Sequence, residues 1–268
     1  VPNENVTAIA GLRTKTIDGK EHRVRARHYV LACCSIHNAR LVPASNSRRK
    51  QGIGNNHDLV GRYFMEHPHG RGGRIIGRAD WRWLSAFAKR RVNGVEVSPA
   101  LTPSDVLQRR EGLLNSSLTV AARQPAGGSH PLPKRAYLHI KHRTAPTRLG
   151  RSMWKATKQL VRGYTGLTGP LHPWAAKWIG GLDLALVIRA EQAPNPDSRV
   201  KLNGHKDAIG MPRAVLDWRL SAIDVDSVAG LVRALDRESR RLGLGVVEPA
   251  AWLADAEKRW VTDELISA

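Results

Sequence analysis

The sequence predicts a mixed protein of the α/β to α+β class, and three stretches carry that prediction. Tyr29-Val30-Leu31-Ala32 is a short apolar run that feeds a helix start at Ile36 through Ala44. Leu184 through Gln192 is a longer apolar run, followed by Pro194-Asn195-Pro196 and then by Val215-Leu216-Asp217-Trp218. Between Asp226 and Arg241, Val228, Leu231, Val232 and Leu235 recur at helical spacing. Strands and helices therefore interleave along 268 residues, which suffice for one large domain or two smaller ones with a buried core.

In chain order, Val6 to Ala10 and His22 to Ala26 read as the arms of a β-hairpin, because Asp18-Gly19 lies between them and Asp-Gly marks a tight turn. The hairpin leads to Tyr29–Ala32, apolar enough to be buried on both faces as central parallel strands are. Ser45 to Asn56 is polar and contains glycine, so it reads as a loop. Gly70, Gly72 and Gly73 then interleave with Arg74, Ile75 and Ile76 in a strand that crosses into a second domain, with the boundary near His69. Residues 80 to 150 are punctuated by six prolines, and Leu113 to Ala122 is the best strand inside them. Ser152 to Gly163 reads as a basic amphipathic surface helix, with Met153, Leu160 and Val161 on one side. Leu184 to Gln192 is a strand whose hairpin partner runs toward Leu202. Asp224 or Asp226 can cap the last helix, and Gly243 can end it in a left-handed turn.

The net charge is +20, and the excess is regional: twenty Lys or Arg lie between His67 and Leu182 against Asp80, Glu96, Asp105 and Glu111. Such a surface attracts polyanions or an anionic membrane face. Yet the stretch holds no Cys/His pairs at finger spacing, no stacking motif of the RNA-binding sheet and no helix-turn-helix pattern, so a solvated arginine-rich surface is expected and nucleic acid is not. A basic polyanion-binding remnant without catalysis is the alternative. The two cysteines, Cys33 and Cys34, are adjacent, which excludes a disulfide framework and reads as two small buried residues in a reducing, cytoplasmic compartment. No apolar run reaches the roughly 20 residues that cross a bilayer, and no signal peptide is read in the first dozen residues.

Isolated chemical patterns carry little. His57, His67 and His69 have no third ligand at metal spacing, so no metal is expected. Ser152-Met153-Trp154-Lys155 fits Ser-x-x-Lys without its companion motifs, and His139, Lys141 and His142 read as a strand surface.

Two larger blocks say more. Leu31-Ala32-Cys33-Cys34-Ser35-Ile36-His37-Asn38-Ala39-Arg40-Leu41 is followed by Asp58-Leu59-Val60-Gly61-Arg62-Tyr63-Phe64-Met65-Glu66-His67-Pro68. Far downstream come Glu191-Gln192, Pro194-Asn195-Pro196, Ser198-Arg199-Val200, then Asp207, Gly210, Pro212-Arg213 and Asp217-Trp218. In this order the blocks resemble the glucose-methanol-choline (GMC) oxidoreductases. The resemblance implies a partial FAD-binding, Rossmann-like domain over 1–68, a substrate domain with an antiparallel sheet and helices over 69–222, and a helical segment over 223–268 leading back to the flavin domain. It implies FAD as cofactor, hydride removal from the CH–OH group of a small-molecule alcohol or sugar, and an electron acceptor the sequence does not specify. It places Val6 at the adenine end of FAD, Ala32, Cys33 and Cys34 on the turn after the last flavin-domain strand, and Asn38 and Asn55 among the cofactor contacts. Asn38 also reads as a helix-start hydrogen bonder, Arg40 as a salt-bridge partner and His67 as a turn residue.

The sequence also departs from the family. No Gly-x-Gly-x-x-Gly turn follows a strand and opens a helix; Gly52-Ile53-Gly54 and Gly243-Leu244-Gly245 read as plain turns. The family's C-terminal His-rich segment is not found, so no catalytic residue is carried over, and the expectation is an internal fragment inactive by itself. Family glycines stand where this chain has Cys34 and Ser35, and a side chain there crowds a ligand or opposes a positive φ.

Overall fold

A computed structural model describes residues 1–123 and 182–260 continuously, together with positions 152, 155, 156, 159, 163, 171 and 174. In chain order its elements are β1 (Leu12–Lys15), β2 (Glu21–Val24), α1 (Cys34–Ala44), β3 (His69–Ile76), α2 (Asp80–Ala86), β4 (Arg90–Val92), β5 (Val95–Val97), α3 (Asp105–Glu111), β6 (Ser116–Arg123), β7 (Asp183–Ala190), β8 (Arg199–Lys206), β9 (Pro212–Asp217), α4 (Ala222–Arg241) and β10 (Val246–Pro249), with a 3₁₀ turn at Ala251–Ala254. Helices and antiparallel sheets are mixed, within the expected α/β to α+β class.

The chain forms two compact units: Val1–Glu66 with Gln192–Ser221, and His67–Glu191 with Ala222–Ala268. Contacts thus group 192–221 with the N-terminal residues, whereas the sequence division at 69 and 222 keeps that stretch with the substrate side.

The second unit is built on an antiparallel sheet ordered β10-β3-β7-β6. Its core comes from alternation: Leu118 and Val120 on β6 pair in register with Ile188 and Leu186 on β7, and all four are buried. α4 lays Val225, Val228, Leu231, Val232 and Leu235 against this face, the stripe its periodicity predicts. Each such burial is worth about 1.5–3 kcal/mol. Three tryptophans join this core and satisfy their indole N–H groups on backbone carbonyls, as buried tryptophans do. Trp83 donates to Leu244 O at 3.0 Å, Trp252 to Arg71 O at 2.9 Å and Trp260 to His69 O at 3.0 Å. Ser104 caps α3 by accepting the Leu107 N–H, and Gly112 ends it in a left-handed turn.

The first unit lacks a comparable core. It contains the hairpin β1–β2, the helix α1 and the hairpin β8–β9, which packs on α1. Among its described residues the buried apolar ones are Val200 and Pro2, beside the buried polar Asn55, Gln192 and Ser198.

Several elements differ from the sequence expectation. The Asp18-Gly19 turn is present, with Gly19 at φ 92°, but the first arm of its hairpin is Leu12–Lys15 and not Val6–Ala10. Val6 sits at φ 56°, a conformation a β-branched residue rarely adopts and one incompatible with a strand. Tyr29–Ala32 forms no strand, and Val30 is 86% exposed: every strand pair described is antiparallel, and none covers this run. β7 pairs with β3 and β6, and β8 pairs with β9, so the proline turn at 194–196 redirects the chain and does not close a hairpin. α4 begins at Ala222, which puts Asp224 within its first turn and not at a cap. α1, β3, β6, β9 and the left-handed Gly243 fall where the sequence puts them, whereas the expected helix over 152–163 lies largely outside the described residues.

Candidate functional site

The residues expected to contact a cofactor belong to the first unit. Cys34 opens α1 at φ 65°, so the place held by glycine in the resembled family is left-handed here with a thiol side chain on it. Cys33 and Cys34 are both exposed, contrary to the expected burial, because the strand that was to bury them does not form. Asn38 holds this turn together: its Oδ1 accepts the Cys33 N–H at 3.0 Å and its Nδ2 donates to Leu31 O at 3.0 Å. Ala32, Cys33, Cys34 and Asn38 are thereby brought together. Val6 and Asn55 make their bonds elsewhere. Val6 N–H donates to Asn3 O, and buried Asn55 donates to Gln51 O and accepts the Val60 N–H at 2.9 Å.

These residues do not by themselves fit a flavin dinucleotide. Both asparagine amides are already bonded to backbone on each side, and Ala32 through Ser35 form an exposed edge with no cradle around it. No step is derived through FAD.

What the two sequence blocks build is a brace. Arg40, from the first block, reaches the second: its Nε donates to Pro212 O at 2.6 Å, and its terminal nitrogen contacts Asp207 at 2.6 Å and Met211 O at 3.3 Å. Asp207 also accepts the N–H groups of Ile209 and Met211, and Arg40 foremost holds its carboxyl below the ordinary value. A second tie joins Asp58 to Arg199, at 2.9 and 3.0 Å, and to Arg62. The Arg199 guanidinium, then Arg62, drives the Asp58 carboxyl far below the usual carboxylate range. Backbone bonds complete the seam, with Phe64 N–H on Ser198 O and Val200 N–H on Gly61 O, both at 2.8 Å. Gly61 is required there: it has φ 81°, and a Cβ on it would lie 2.3 Å from Val200 O. The Ser198 hydroxyl donates to Phe64 O at 2.6 Å, while Gln192 accepts the Trp218 indole N–H at 2.9 Å.

The second unit holds a concavity of about 310 Å³ lined by His67, Thr102, Asn115, Ser116, Ser117, Arg189, Ala190 and Glu191. It lies where β6 and β7 pair, with Ser117 opposite Arg189 and Ser116 opposite Ala190. Glu191 is fixed by the Asn115 N–H at 2.8 Å, and its own N–H donates to Asn115 O. The Ser116 hydroxyl is buried without a partner, a state that costs about 1–3 kcal/mol. Sequence reasoning treated these positions as strand and turn; the legible signal was Asn115-Ser116-Ser117, three polar residues opening an otherwise apolar strand.

Among the described residues no group of three or more His, Cys, Asp or Glu is placed to hold a metal, and no helix is long and apolar enough to cross a membrane. Several described arginines of the basic stretch are ion-paired: Arg71 and Arg74 with Asp183, and Arg74 with Glu248.

No family model matches the chain. It is 25% identical over 224 residues to paromamine 6'-oxidase of Streptomyces fradiae, an alignment that covers 83% of this chain and 32% of that protein. It is 44% identical over 52 residues to the fructose dehydrogenase large subunit of Gluconobacter japonicus, covering 19% of this chain and 10% of the relative. The chain thus spans about a third of the first relative's length and a tenth of the second's. Both relatives are oxidoreductases by name, and at that coarse level the chain has distant oxidoreductase relatives.

Proposed function

We propose that this chain is part of a GMC-type, FAD-dependent oxidoreductase that oxidises the CH–OH group of an alcohol or sugar. The observation that carries the reading is the Arg40 tie: two separate blocks, each resembling the same family, are joined through Arg40 and Asp207, which lie 167 residues apart and both carry the resemblance. The oxidoreductase names of the two distant relatives support it. In this reading Asn38, Arg40, Asn55, Asp58 and Gly61 shape the edge of the flavin domain, and the second unit supplies the wall facing the substrate. The pyrophosphate cradle and the histidine base belong to stretches that this sequence does not contain, so the chain alone is inactive and FAD is held chiefly by those stretches.

The test is to read the encoding DNA on both sides of this frame. The proposal expects an in-frame Gly-x-Gly-x-x-Gly turn upstream and a His-rich segment downstream. Stop codons closing both sides would remove the enzyme reading.

A further inference from the structure

The sheet of the second unit has two unlike faces. One packs on α4, where a Cβ on Gly72 would touch Ile188 and Val232. The strand register puts Arg71, Arg123, Asp183 and Arg189 together on the other face, and the ion pair to Asp183 places Arg74 with them. Of the four guanidinium groups on that face, Arg71 and Arg74 pair with Asp183, and Arg74 also pairs with Glu248. The charge is unbalanced, and the Arg123 pKa is held below its ordinary value by burial and by Arg71 beside it.

At one end of this face lies the concavity, with Arg189 and Glu191 both in its wall. Thr102, Asn115 and Ser117 complete the polar lining, whereas Ser116, opposite Ala190, turns its buried hydroxyl toward the α4 face. A cavity at the small end of the ligand-binding range takes roughly one sugar ring. A planar guanidinium recognises a carboxylate through two parallel hydrogen bonds, and a carboxylate with amide and hydroxyl neighbours suits vicinal hydroxyls. The +20 charge of the chain attracts an anion and opposes a cationic amino sugar.

We propose that this concavity binds a polyhydroxylated carboxylate, a sugar acid of monosaccharide size, with Arg189 on the carboxylate and Glu191, Asn115, Ser117 and Thr102 on the hydroxyls. The proposal rests on the oxidoreductase reading only for calling that ligand a substrate; the binding itself requires no flavin.

The experiment is calorimetric titration of the full chain with gluconate, glucose and glucosamine at physiological salt. Gluconate should bind saturably, at least tenfold more tightly than either neutral glucose or cationic glucosamine. Arg189→Gln should weaken gluconate at least tenfold without moving the thermal midpoint, because Arg189 is exposed. Arg189→Lys should weaken it less. Glu191→Gln should weaken glucose and gluconate alike. Arg91→Gln, on exposed β4, serves as the control and should change nothing. Absence of a saturable gluconate signal overturns the proposal, as does equal loss in Arg91→Gln, which would mark general anion condensation on a basic surface. Each outcome is independent of the flanking DNA, so failure here leaves the oxidoreductase reading standing, and the reverse also holds.

Discussion

The two units use opposite means of cohesion. The second closes a layer of Leu118, Leu184, Leu186 and Ile188 under the apolar stripe of α4, and its polar groups decorate a core that is already dry. In the first, ion pairs, asparagine amides and tight backbone approaches at Gly52 and Gly61 tie segments together, while Val30 and Leu31 remain exposed. The residues that make the sequence recognisable fall largely in the polar unit. The resemblance to the GMC family is thus largely a record of how backbone segments are tied together, and the concavity sits in the other unit.

The contrast can be broken from either side. The largest effect is expected for Leu186→Ala, which opens a cavity in the dry layer and should cost the second unit about 2–5 kcal/mol. Thermal unfolding followed by far-UV circular dichroism measures it. Gly61→Ala comes next: the left-handed backbone alone costs about 1–3 kcal/mol, and the clash with Val200 O adds to it. Trp218 is the sole tryptophan of the first unit, so a tryptophan-to-phenylalanine background that keeps only Trp218 should show the loss there. Arg40→Met removes three hydrogen bonds and leaves Asp207 without its cation, which should lower first-unit stability by about 1.5–3 kcal/mol by the same probe.

Acid sharpens the comparison. Asp58, Asp207 and Asp217 all have folded pKa values below their unfolded ones, so the unfolded chain takes up protons first as pH falls. Their stabilisation is present above about pH 4 and is lost progressively below it. Asp236 and Glu111 of the second unit shift the same way, but the carboxylates driven furthest down, Asp58 and Asp217, lie in the first unit, so the Trp218 signal should fail at a higher pH than the far-UV signal of α4 and the four-stranded sheet. The smallest effect is a gain: Cys34→Gly relieves a left-handed non-glycine residue and should add about 1 kcal/mol, visible as a modest rise in the first unit's midpoint.

The fold was legible where periodicity or turn chemistry was strong. α4 followed from its apolar spacing, the β1–β2 turn from Asp18-Gly19, and β6 and β7 from apolar runs. The reading failed at Tyr29–Ala32 because apolarity marks a buried strand only where neighbours exist to cover it, and no described strand does. It also misplaced the partner of β8, since two apolar runs around a turn do not reveal which strand each one pairs with. Arg40 was legible as an ion-pair former, but its partner Asp207 lies 167 residues away and required coordinates. The concavity was legible only in part: Asn115-Ser116-Ser117 opened a strand with polar residues, but that Thr102, Asn115 and Glu191 converge from separate segments follows from the fold.

Native-state hydrogen exchange tests most directly the claim that the two blocks form a polar brace in one unit while the other unit has an independently stable core. The amides of Leu186 and Ile188 and of Val228 and Val232 should exchange only through global unfolding, while those of Phe64 and Val200 should exchange at least tenfold faster through opening of the first unit alone. If Phe64 and Val200 are protected as strongly as Leu186, the two units open together and the brace is part of one core, contrary to this account.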